Sequence, residues 1–140
     1  MASKAFFADT SFFFALVAKR DPAHQVAVEA YAKHLRVHGH VFTTDYVIDE
    51  TLTLTKARLN AQAAVALLDR IEASEAVVME DITPERFVAA KTYFRKHADH
   101  GYSFTDCTSF VLMRELKITA ALTTDRHFKE AGFEVLLPMA

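Results

Sequence analysis

Five short apolar runs, at residues 4–8, 40–44, 76–79, 119–123 and 133–137, alternate with longer segments whose apolar residues recur every three or four positions. The runs have strand length and are moderately rich in β-branched and aromatic residues. Because they are apolar on both faces, they suit strands covered from both sides, as in a parallel sheet. The longer segments read as helices. Ala64, Leu68 and Ile71 follow Asn60 at helical spacing. Phe87, Lys91 and Phe94 share a face after Thr83, and Phe104, Cys107, Val111 and Glu115 do so after Ser103.

Start signals sharpen the helices. Asp21-Pro22 and Thr83-Pro84-Glu85 each place a capping side chain before a proline at the first helical position. Ser103-Phe104-Thr105-Asp106 has the form of a capping box, while Thr44-Asp45 and Thr124-Asp125 offer further caps. Strands alternating with helices predict a three-layer α/β/α sandwich around a central parallel sheet of about five strands. With no repeat, no linker, and only three Gly and three Pro, residues 1–140 are expected to form a single domain.

Composition narrows the setting. The chain is 51% hydrophobic and 24% charged, ordinary for a soluble globular protein. Its single cysteine, Cys107, excludes an intramolecular disulfide and fits a reducing compartment. A net charge of −2 gives no global excess of positive charge for a polyanion, so any nucleic-acid contact must be local or helped by a bound cation. The first residues superficially resemble a secretory signal, but Asp9, Thr10 and Ser11 interrupt the apolar stretch and no small-residue cleavage site follows. No run approaches the roughly 20 apolar residues of a membrane-spanning helix. The expected location is cytoplasmic, without a membrane partner.

The acids carry the candidate chemistry. Asp9 lies in an apolar stretch, Ala5 to Leu16, with no Lys, Arg or His within four residues. An unpaired buried carboxylate costs several kcal/mol or more, so it is paired, protonated or bound to a metal. Asp9 follows the first run; Asp45, Asp49 and Glu50 follow the second; Asp106 opens the helix before the fourth; Asp125 follows the fourth. Sheets of this class bind ligands at the carboxyl ends of their strands, so several of these acids should crowd one rim. Like charges that close cannot all stay ionised alone: either protons are retained or a divalent cation sits among them, and an all-carboxylate site suits Mg²⁺ or Mn²⁺. Taken singly, each acid is equally well explained as a helix cap or a partner of the helix dipole.

These acids stand in four ordered motifs: Ala8-Asp9-Thr10-Ser11; Glu50 within Asp45-Tyr46-Val47-Ile48-Asp49-Glu50-Thr51-Leu52; Ser103-Phe104-Thr105-Asp106-Cys107-Thr108-Ser109-Phe110; and Thr123-Thr124-Asp125-Arg126-His127-Phe128. Together they resemble the PIN domain, particularly the short VapC-like toxin ribonucleases, from Phe6 to Val135. The resemblance implies a metal-dependent ribonuclease that hydrolyses phosphodiester bonds of single-stranded or structured RNA. It also implies the toxin of a type II toxin–antitoxin system, a cognate antitoxin and a homodimer. The family's four acids map onto Asp9, Glu50, Asp106 and Asp125 as catalytic residues holding Mg²⁺ or Mn²⁺, with Thr10 and Ser109 at small hydroxyl positions nearby. Preference for Glu50 over Asp49 rests mainly on the resemblance, and Asp45 is better explained as a cap.

Within that reading Asp9 and Asp106 are the preferred direct ligands, Asp125 acts through metal or water, and Glu50 is a ligand or water-orienting base. Basic residues flank the acids. Arg95, Lys96, Arg126, His127 and Lys129 are the candidate RNA contacts, and Phe104 or Phe128 could stack a base, although a core role is favoured for both. Phe12, Phe13 and Phe14 are expected to pack the first helix onto the sheet or a subunit partner. Cys107 reads as a buried inert thiol, and Ser11 and Ser109 lack a neighbouring base. His34, His38 and His40 read as a polar helix end rather than a second metal site. A phosphate-accepting receiver fits poorly, since Asp9 stands alone and Pro138 follows the last run. The alternative function is a catalytically silent PIN-like or regulatory α/β binding module, against which the presence of all four acids argues.

Overall fold

Neighbouring residues of a strand face opposite ways, so the pair Phe6 and Phe7 demands apolar cover on both sides of the chain. The computed structural model describes residues 5–138, excepting the side chains of residues 35–38; Lys4 and the His38 side chain lie outside the described residues. The elements run β1 (Ala5–Ala8), α1 (Thr10–Val17), α2 (His24–His38), β2 (His40–Thr44), α3 (Asp45–Arg58), α4 (Ala61–Ala73), β3 (Val77–Glu80), α5 (Pro84–Lys96), α6 (Phe104–Leu116), β4 (Ala120–Leu122), α7 (Arg126–Glu130) and β5 (Glu134–Val135). All pairings are parallel, in a five-stranded sheet of order β3-β2-β1-β4-β5. The expected α/β/α sandwich is the fold that forms.

This order makes the chain wind one way from β1 to β3, cross β1, and wind the other way through β4 and β5. Right-handed crossovers in opposite directions put α1–α4 on one face and α5–α7 on the other. Ring contacts agree: Phe6 meets His34 of α2 at 4.6 Å, whereas Phe7 meets Phe128 of α7 at 6.2 Å. The α5–α7 layer centres on Phe110, fully buried, with Phe128, Tyr102, Tyr93 and Phe133 at 5.0, 5.1, 5.7 and 5.7 Å. Phe12, Phe13 and Phe14 are buried as expected, Phe12 against Tyr31 at 5.7 Å.

Most start signals act as the sequence predicts. Thr44, Thr83, Ser103 and Asp125 each accept a backbone N–H from the first turn of the following helix, and Asn60, not among the predicted caps, does the same for α4. Asp21 differs: its Oδ1 accepts from Ala23 N at 2.8 Å in a turn, and α2 begins only at His24. A short acidic side chain can close such a turn in competition with capping. Asp45 differs too. Thr44 is the cap, and Asp45 Oδ1 accepts from Ile82 N at 2.9 Å, fastening the segment after β3 to the start of α3. Arg86 adds a second clamp, bonding Glu115 through Nε and Nη2 (3.1 and 2.6 Å) and Glu80 through Nη2 (3.0 Å). No helix of the described residues is long and apolar enough to cross a membrane.

Phe110→Ala removes the ring on which four other aromatic side chains converge. The expected loss is about 3–5 kcal/mol of unfolding free energy, read from urea denaturation.

Candidate active site

The reversal of winding between β1 and β4 leaves a crevice at the carboxyl ends of those strands, the position at which doubly wound sheets bind ligands. Asp9 stands there. Its N–H donates to Leu122 O at 3.2 Å, locking the end of β1 to β4. Although Asp9 occupies the N-cap position of α1, its side chain makes no capping bond. Instead Oδ2 accepts from Thr123 Oγ1 at 3.0 Å and from Ser11 Oγ at 3.4 Å. The two hydroxyls lie 3.0 Å apart, and they accept in turn from Thr124 N and Asp125 N, each at 3.0 Å. A knot of hydroxyls thus joins α1 to the loop after β4.

Two more acids converge on this loop. Asp106 is the third residue of α6, where Ser103 N donates to its Oδ2 at 3.0 Å and its own N–H donates to Ser103 Oγ at 3.0 Å. Asp125 caps α7, Oδ1 accepting from His127 N at 2.9 Å. The imidazole of His127 comes between them: Nδ1 is 3.1 Å from Asp125 Oδ1 and 3.6 Å from Asp106 Oδ2. Ligand atoms of Asp106, Asp125 and His127 all fall within 4.8 Å of one another. Gly101 makes room for the ring, since a Cβ there would lie 3.2 Å from His127 Nε2.

Electrostatics record the crowding. Burial, then the charge of Asp106, and also that of Asp125, push Asp9 up from 3.8 to about 7, against the opposing hydrogen bonds from Thr10 N–H and Thr123. Burial likewise lifts Asp106 to about 6, with Asp125 and Glu50 raising it and the Ser103 N–H and His127 lowering it. Among the described residues no Lys, Arg or His nitrogen lies within ion-pair distance of Asp9. Two buried carboxyls without a Lys or Arg partner, a third acid and one imidazole make a donor set that suits a small divalent ion. Glu50 sits on the exposed side of α3, and its charge reaches Asp106.

The remaining expected site residues fall at varying distances from these acids. Thr10 and Ser109 are buried, but their hydroxyls bond elsewhere: Thr10 Oγ1 to Val47 O (3.4 Å) and Ser109 Oγ to Thr105 O (3.2 Å). The hydroxyls on Asp9 belong to Ser11 and Thr123 instead. Arg95 and Lys96 are exposed at the end of α5; Arg126 is exposed with Glu130 3.8 Å away; Lys129 lines a groove with Phe133 and Glu134. Only His127 of the basic candidates reaches the acids, and as a partner of Asp106 and Asp125 rather than as a surface cation. Burial pushes the Cys107 thiol up to about 11, with Asp106 adding to it, so this sulfur stays protonated and inert.

A family model described as the PIN domain matches residues 6–134. The chain belongs to the PIN-domain family. Its relatives include the 23S rRNA-specific endonuclease VapC20 of Mycobacterium tuberculosis, 36% identical over 132 residues that cover 94% of this chain and 98% of that protein. A VapC ribonuclease of Archaeoglobus fulgidus is 31% identical over 113 residues, 79% of this chain and 70% of its own length. Among solved structures, the crystal structure of M. tuberculosis VapC20, described as a sarcin–ricin-loop-cleaving toxin, matches with a TM-score of 0.87 at 34% identity, covering 95% and 99% of the two chains. FitAcB of Neisseria gonorrhoeae shares the fold alone, with a TM-score of 0.59 at 15% identity over 93% and 95%.

The raised acids give this PIN domain a pH signature. A carboxyl whose folded pKa exceeds its unfolded value stabilises the fold below the unfolded pKa and loses that contribution as pH rises through the folded one. With Asp9 at about 7 and Asp106 at about 6, chelator-treated protein should lose stability between pH 5 and pH 8. Asp9→Asn should remove most of this slope and stabilise the fold at pH 8 by roughly 2–4 kcal/mol. Urea unfolding at the two pH values measures it.

Proposed function

We propose that this PIN domain is a divalent-metal-dependent endoribonuclease, the toxin of a toxin–antitoxin pair, cutting RNA at the crevice between β1 and β4. The observation that carries the reading is the meeting of Asp9, Asp106 and Asp125, from three separate stretches of chain, with no Lys or Arg paired to them. The identity to a 23S rRNA-specific endonuclease supplies the substrate class, and the sarcin–ricin loop of 23S rRNA is the first target to test. Residues 1–140 act as one PIN-like domain in this reading, in the cytoplasm where ribosomal RNA is found. A cognate antitoxin and a homodimer complete the proposed assembly.

Asp106, Asp125 and His127 would hold Mg²⁺ or Mn²⁺, with Asp9 and Glu50 beside them. When bound, such an ion acidifies a water and polarises a phosphate oxygen. The chain's own residues prepare the site. Thr123 and Ser11 hold Asp9 Oδ2 by hydrogen bonds that favour its ionised form. Ser103 N–H holds Asp106 Oδ2, the oxygen that also faces His127 Nδ1 at 3.6 Å, and so fixes the carboxyl group beside the other acids. His127 Nδ1 stands 3.1 Å from Asp125 Oδ1 and 3.6 Å from Asp106 Oδ2, where it can share an ion with them. Glu50, exposed at the rim, is assigned to orient and deprotonate the attacking water.

Asp9→Asn and Asp106→Asn are each expected to lower cleavage of a sarcin–ricin stem-loop by about 100-fold or more, with circular dichroism unchanged. Chelator should silence the wild type, and Mg²⁺ or Mn²⁺ should restore it. Equal cleavage by wild type and Asp9→Asn would reject the assignment in favour of a silent binding module. His127→Gln is expected to weaken Mn²⁺ binding by about 10–100-fold in calorimetric titration.

A further inference from the structure

The face of α5 that the sequence marks with Phe87, Lys91 and Phe94 does not pack into the core. Phe87 is 36% exposed and Phe94 43% exposed. Both lean on Phe104, at 5.3 and 5.7 Å, and Tyr46 closes the cluster 6.4 Å from both Phe87 and Phe104. Phe104 is half-buried, the first residue of α6 and two before Asp106. Tyr46 lies one helical turn before Glu50 on α3, which sets the two on one face. Through Tyr46 the aromatic surface therefore adjoins Glu50, whose charge reaches Asp106.

Its charge is opposite to that of the rim. Lys91 Nζ sits 5.2 Å over the Phe87 ring, and Arg95 follows one turn later on the same helix. Among the described residues neither Lys91 nor Arg95 has a carboxylate within ion-pair distance. Exposed rings interleaved with unneutralised cations are the makings of a single-strand nucleic-acid surface, in which bases stack and phosphates meet the cations. A protein-facing apolar patch has no comparable need of Lys91 in its middle.

We propose that Phe87 and Phe94, with Lys91 and Arg95, form a platform that stacks unpaired bases of the RNA substrate beside the cleavage site. The proposal rests on the nuclease reading above and adds how the strand is positioned. Its test uses a sarcin–ricin stem-loop carrying 2-aminopurine in the unpaired region, bound to full-length protein in the non-cleaving Asp9→Asn background. Stacking predicts quenched fluorescence on binding. Phe87→Leu and Phe94→Leu, which stay apolar but lose the aromatic face, should each relieve the quench and weaken binding by about 10–100-fold. Phe94→Trp should retain both. In protein with Asp9 intact, the Leu variants should raise KM by a similar factor, with the loss falling on KM rather than kcat.

Wild type that cleaves the stem-loop while the Leu variants show unchanged quench and KM overturns the platform and leaves the nuclease reading standing. Wild type that neither binds nor cleaves RNA overturns both. Leu variants that shift the molecular mass in light scattering, with the quench intact, overturn it in favour of an interface between two copies of the chain.

Discussion

Repulsion among carboxylates gathered in a half-dry crevice is the constraint around which this molecule is organised. A parallel sheet delivers the ends of all its strands to one rim, and the change of winding direction between β1 and β4 opens that rim where Asp9 and the loop after β4 meet. Asp106 reaches the same point from the start of α6. Asp9 and Asp106 are pushed up to about 7 and 6 because burial and neighbouring charges act in the same direction. Folding therefore holds these groups in an arrangement that is favourable only when their charge is answered.

The protein tempers this repulsion without cancelling it. Thr123 donates to Asp9, Ser103 N–H donates to Asp106, and the His127 ring stands between Asp106 and Asp125. Contrast Arg86, whose guanidinium bridges Glu80 and Glu115 and holds the Glu115 carboxyl below its ordinary range. At that second cluster the chain supplies a full cation, and the outcome is a clamp. At the crevice it supplies hydroxyls, a backbone N–H and an imidazole, and the outcome is a site with capacity for a further positive charge.

How much of this is legible in the sequence depends on whether a feature is local. The strands, the caps at Thr44, Thr83 and Ser103, and the burial of Phe12, Phe13 and Phe14 follow from short-range pattern, and the structure keeps them. The acids after β1 and β4 were readable because topology alone sends strand ends to one rim. Side-chain direction was not. Thr10 and Ser11 are adjacent, yet a helix turns successive residues by roughly 100°, so Ser11 faces Asp9 and Thr123 while Thr10 faces α3. His127 looked like one surface cation among several. Its place between Asp106 and Asp125 brings it against Gly101, 26 residues away in sequence, where a Cβ would crowd the ring at 3.2 Å. Asp45 bonds Ile82 across a gap no local pattern could disclose.

Asp106 shows why service as a helix cap does not compete with a place in the acidic cluster. In the capping box its Oδ2 is engaged by Ser103 N–H and its own N–H by Ser103 Oγ, which fixes the carboxyl group at the start of α6. A carboxylate has two oxygens and accepts several bonds, so a cap that uses one oxygen leaves the other to project. The helix start favours the negative charge electrostatically while burial opposes it, and burial prevails, leaving Asp106 at about 6. The same logic holds at Asp125, whose Oδ1 caps α7 while facing His127. Capping is thus the device that pre-orients the site's acids: a side chain immobilised for the sake of its helix needs no further ordering to present its remaining oxygen.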